Sequence, residues 1–92
     1  METKYYVDHE KLRNVVGIFR DVRDGKAEHD AFDRLIAITK ENFVVGLDGK
    51  QLDTPEVYYV LDYIKAVVRF ADGVGICGTL ERIGFEVVPR LG

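Results

Sequence analysis

Between Asp53 and Gly73 the chain carries a pattern that one kind of element satisfies, a long helix that is apolar on two sides. At about 100° per residue, Val57, Val60, Leu61, Ile64, Val67, Val68 and Ala71 share one broad face. Tyr59, Tyr63, Ala66 and Phe70 form a second stripe on nearly the opposite side, while Tyr58, Asp62, Lys65, Arg69 and Asp72 fill a polar wedge on one flank. An ordinary surface helix has one apolar stripe and polar residues elsewhere. This helix asks for two partners, either two layers of its own chain or a second chain. Its start is marked by Asp53-Thr54-Pro55-Glu56: Asp53 is placed to cap, Glu56 stands at the third position, and proline is tolerated in a first turn.

Three further helices are predicted around this spine. Asp8 can cap a first helix, though Lys11 rather than Glu stands at the third position and the capping box is incomplete. Leu12, Val15, Val16, Phe19 and Val22 repeat at helical spacing as far as Asp24, and Gly25 is the stop. Gly17 inside this helix costs ~1 kcal/mol against Ala, and close approach of a neighbouring backbone is a reason to keep it. A second helix is expected over 27–43, with Phe32, Leu35, Ile36, Thr39 and Phe43 inward. A short fourth helix fits Ile76 to Ile83, closed by Gly84. Thr3 to Val7 and Phe85 to Val88 read as strands at the two ends, placed to pair with each other. Around Asp48-Gly49, a strong turn signal, a plain loop competes with a small hairpin of Phe43–Leu47 and Lys50–Leu52, and the loop is the expectation. The fold class is therefore mainly α: a four-helix domain, 1–92, with short N- and C-terminal strands.

Composition excludes several functions. The chain is 47% hydrophobic and 32% charged, with net charge -3, an ordinary globular balance. Nucleic-acid binders draw much of their affinity from Lys and Arg against phosphates, so an acidic chain is not expected to be one. There is no serine, one cysteine and two histidines, His9 and His29. A Ser-His-Asp triad is impossible, as are an internal disulfide and a zinc site of several Cys and His. The first ten residues are polar and charged, unlike a signal peptide, and no apolar run approaches the ~20 residues that span a membrane. A cytoplasmic protein is expected.

The remaining candidates are weak in context. Gly73 to Gly78 matches G-x-G-x-x-G literally, but the dinucleotide motif needs a strand before it and a long helix after it. A helix end and a tight turn are expected instead. Cys77 sits among Ile76, Leu80 and glycines with no histidine nearby in sequence, and is expected to be buried and inert. Asp8-His9-Glu10 and Glu28-His29-Asp30 with Asp33 are acidic clusters at helix starts, where the dipole favours carboxylates. No metal or other cofactor is expected. Arg13 and Arg20 share a face with Glu10 and Asp24 close by, a mixed charged surface rather than a phosphate track.

Two segments resemble known families. Arg23 and His29 match the loose R-x(4–6)-H spacing of HEPN-type ribonucleases. In that family the pair belongs in the helical core, whereas here it straddles Gly25. Gly46 to Val57 looks like the stretch around the carrier serine of acyl carrier proteins, small acidic four-helix bundles. Gln51 stands where that serine would be and cannot take a phosphopantetheine ester, so carrier activity is not implied.

The resulting expectation is a small non-catalytic protein that works by protein–protein contact as a homodimer, using Tyr59, Tyr63, Ala66 and Phe70. Its expected partners are a second copy and further proteins, with nucleic acid disfavoured and no membrane. Two rival readings are a dimeric DNA-binding regulator and a small ligand-binding protein or enzyme using Cys77.

Overall fold

The computed structural model describes residues 2–71, 73 and 75–91. Asp72, assigned to the polar flank of the spine, and Val74, inside the glycine motif, lie outside the described residues. The element order is β1 (Tyr5–Asp8), α1 (His9–Arg23), α2 (Ala31–Thr39), β2 (Val44–Gly46), α3 (Thr54–Ala71), α4 (Ile76–Arg82) and β3 (Phe85–Val88).

The two end strands do pair. β1 and β3 run parallel, with Tyr5 opposite Phe85 and Asp8 opposite Val88. The sheet also has a third strand, which corrects the loop expected around residues 43–52. β2 lies antiparallel on the other side of β1, with Val7 opposite Val44, giving the order β2-β1-β3. Val45 bridges to Gln51, and the Gly46 N–H donates to the Lys50 carbonyl at 3.0 Å. The Asp48-Gly49 turn between them has Gly49 at φ +77°, a backbone that suits glycine, and the Asp48 carboxylate accepts from the Lys50 N–H at 3.0 Å. Val44 and Val45 favour a strand, but two β-branched residues are too few for alternation to show, and their main partner is remote in sequence.

Both expected caps form. The Asp8 carboxylate accepts from the Lys11 N–H at 3.0 Å and opens α1. Asp53 does the same for α3, accepting from the Glu56 N–H at 3.1 Å. α1 ends where Gly25 takes φ +71°. α2 is much shorter than the 27–43 expected, and its inward face is turned by about 90°. Ala31 and Leu35 are buried and Ile38 packs against the core, while Phe32 is 65% exposed. Phe43 is fully buried, as expected, but from the segment after the helix. Val22, expected inward on α1, is also exposed.

One core joins the layers. Val7 and Phe85 from the sheet, Leu12, Val15 and Phe19 from α1, Val60, Leu61, Ile64 and Val68 from α3, and Leu80 from α4 are all buried in it. Gly17 does not serve a close approach, since nothing lies within 4 Å of a Cβ built there. Gly17→Ala is therefore expected to stabilise the domain by ~0.5–1 kcal/mol, which a rise in the midpoint of chemical denaturation would register.

Candidate interaction surface

α3 places its two apolar faces in opposite environments. Val60, Leu61, Ile64, Val67 and Val68 are buried, and Val57 and Ala71 pack at the edge of the core. The second stripe is largely open among the described residues, with only Tyr63 partly covered, by Phe85 of β3. Tyr59 is 58% exposed, Tyr63 41% and Phe70 82%, and Ala66 is exposed between them. The capped start and regular α3 helix hold these residues on one face, so the surface is set by backbone geometry rather than by a loop.

The tyrosines are ordered against one another. The rings of Tyr59 and Tyr63 meet edge to face, 5.0 Å apart at 79°, and their hydroxyls are hydrogen-bonded at 3.3 Å. The hydrogen bond to Tyr63 raises the Tyr59 phenol above its ordinary range, so Tyr59 brings no charge to this face at neutral pH. Tyr63 continues to Phe85 at 6.4 Å between centroids, and Phe85 stacks on Tyr5 at 5.1 Å. This aromatic chain ties the helix face to the sheet. Tyr59, Asp62, Tyr63 and Ala66 border a shallow, open hollow on this face. One turn beyond Ala66, Phe70 stands out from the surface with the Arg69 guanidinium 5.7 Å from its ring centroid.

A second apolar surface was not legible in the sequence. Val22, Phe32 and Tyr58 are exposed along a groove of about 250 Å³ between α1, α2 and α3, floored by Phe19, Leu35 and Leu61. Phe32 and Val22 follow helical apolar spacing and so read as core. Only the shortness and rotation of α2 put them at the rim.

The other candidates are dispersed. Cys77 is exposed, against the expectation of burial. α4 has seven residues and buries Ile76 and Leu80 on one side, and Cys77 falls a step of about 100° round from Ile76. It borders an open groove with Arg13, Arg20 and Leu12. Native and unfolded protein are accordingly expected to react with a thiol reagent at comparable rates, and strong native protection would show that α4 is rotated. The glycine motif follows α3 instead of a strand and precedes a seven-residue helix. Open space surrounds the Cβ positions of Gly73 and Gly78, and Gly75 takes φ +104° as a turn residue. Gln51, in the segment resembling acyl carrier proteins, lies in the bridge to Val45 and donates to Asn42 Oδ1 at 2.8 Å. Arg23 ends α1, paired with Asp24 at 3.0 Å and donating to the Val68 carbonyl at 3.3 Å. His29 is exposed in the turn before α2. Asp8 is buried and engaged by backbone donors, whereas His9 and Glu10 face outward. Among the described residues no three His, Cys, Asp or Glu side chains converge as metal ligands, and no helix is long and apolar enough to cross a membrane. No family model, curated protein or solved structure matches the chain.

Proposed function

We propose that this is a small non-catalytic cytoplasmic protein that acts through protein–protein contact, as a homodimer joined through the Tyr59, Tyr63, Ala66 and Phe70 face of α3. The observation that carries this reading is the exposure of three large aromatic side chains on one face of a well-packed helix. Aromatic residues are enriched at interface cores, and tyrosine keeps its hydroxyl at a wet rim while burying its ring.

Total surface supports the same reading. A monomer of 10.5 kDa is expected to expose about 5,400 Å². This chain exposes 6073 Å², somewhat more than that, with Tyr59, Tyr63 and Phe70 among its exposed large hydrophobic residues. A DNA-binding role finds no such support in an acidic chain. Exposure of Cys77 removes an objection to its reactivity, but among the described residues the groove it borders is lined by Arg13 and Arg20 and by no histidine or carboxylate.

Sedimentation of the wild type and of Tyr63→Glu with Phe70→Lys tests the proposal. The expected result is a wild-type dimer and a folded variant whose association is weakened at least about thirtyfold, the effect of losing one interface hot spot. A wild type that stays monomeric would falsify it. So would a variant that unfolds, because the stripe would then belong to the core.

A further inference from the structure

We infer that the two copies of α3 pack antiparallel about a two-fold axis at Ala66, with Phe70 of each copy seated in the hollow of the other. The inference rests on the dimer reading above and goes beyond it by fixing which residues meet.

The hollow is bounded by Tyr59, Asp62, Tyr63 and Ala66. These are positions i, i+3, i+4 and i+7 of one helix, the four-residue diamond that receives a side chain from a facing helix. The projecting side chain of the same face is Phe70, 82% exposed. In a two-fold interface the same patch serves both copies, so a projection on one must find its hollow on the other by a single rotation. The centre of the diamond lies near residues 62–63, and Asp62 and Phe70 stand four positions either side of Ala66. An axis at Ala66 therefore brings projection and hollow together twice. Ala66 has the smallest side chain of the stripe, and small contact residues permit the closest helix approach, about 8 Å between axes.

Charge fits the same arrangement. Arg69 rides on the Phe70 ring at 5.7 Å, so it travels with the inserted side chain. Asp62 lines the hollow that receives it. Asp62 and Arg69 lie on the same flank of α3, and in antiparallel pairs like flanks face each other. Each copy thus offers the carboxylate that meets the other's guanidinium. A parallel two-fold pair would put the Asp62–Arg69 flanks on opposite sides, away from each other, and leave Phe70 level with Phe70.

Cysteine cross-linking distinguishes the arrangements. In a Cys77→Ala background, Ala66→Cys and Tyr59→Cys proteins are brought to concentrations at which sedimentation shows each to be dimeric. They are then oxidised with oxidised glutathione. Ala66→Cys is expected to form a covalent dimer. Tyr59→Cys is not, because an axis at Ala66 separates its two copies by about 21 Å along the helices, beyond the ~7 Å limit for a disulfide. A second measurement does not depend on those variants. Asp62→Arg and Arg69→Asp are each expected to weaken association about fivefold, and their combination to restore it. If the wild type is dimeric but only Tyr59→Cys cross-links, both positions cross-link, neither does, or the charge swap fails to restore affinity, the antiparallel seating is overturned while the dimer stands. A monomeric wild type overturns both.

Discussion

Ile64→Ala is expected to lose ~2–5 kcal/mol of folding stability, and Leu61→Ala a similar amount. Ile64 is completely buried and Leu61 is 4% exposed. Both belong to the core that α3 shares with α1, α2, α4 and the sheet. Truncation removes the transfer free energy of the lost carbons and leaves a cavity whose walls relax only in part. For a domain of this size the total margin is ~5–15 kcal/mol, so either change takes a large share of it. Denaturant titration of both variants beside Tyr63→Glu checks the assignment of faces. Tyr63 is the immediate neighbour of Ile64 but points outward, and its change is expected to cost far less. Losses under ~1 kcal/mol for both core variants would mean that α3 presents the opposite face inward.

The second large effect is expected at Asp8. Its carboxylate accepts from the Lys11 N–H at 3.0 Å and from the Leu91 N–H at 2.9 Å, while its own N–H donates to the Phe43 carbonyl at 2.9 Å. One buried residue therefore ends β1, caps α1 and holds the C-terminal segment. Asp8→Ala is expected to cost ~2–3 kcal/mol, the sum of a lost cap and a lost hydrogen bond to a charged acceptor. Asp8→Asn keeps a capping oxygen and is expected to cost less. Burial pushes the Asp8 carboxyl up, but the N–H donors of Lys11, Leu91 and Glu10, with the Lys11 ammonium, outweigh it and hold the group below its ordinary value of 3.8. A carboxyl depressed in the folded state adds stability above its unfolded pKa, and that stability is lost as pH falls through the folded one. The advantage of wild type over Asp8→Asn is thus expected to be full at neutral pH, to shrink below about pH 4 and to vanish in stronger acid. Urea midpoints of the two proteins across pH 2–7 measure it, and a pH-independent gap would show that Asp8 acts by shape alone.

Helix positions were legible where the cause was local. Asp8 and Asp53 each stand before a run with helical apolar spacing, and each carboxylate caps the N–H three residues on. The division of α3 into two faces also needed only its own residues, because 3.6-residue periodicity fixes which side chains share a side. Sequence alone therefore determined the spine, its core residues and the candidate stripe of Tyr59, Tyr63, Ala66 and Phe70. It did not reveal the ring contact from Tyr63 to Phe85, because those residues are joined only when β3 lies beside α3.

Tertiary structure decided what depends on remote partners. β2 is a strand because β1 offers Val44 a buried place beside Val7, and no pattern within 43–52 encodes that neighbour. α2 turns Phe32 outward and Ala31 inward because a nine-residue helix aligns with the surface it meets rather than with its largest side chain. Cys77 is exposed for the same reason: α4 is short enough that Ile76 and Leu80 alone set its rotation. Long helices average their apolar signal over many residues and so announce their orientation. Short elements carry too few residues to do so, and take it from the packing of the whole.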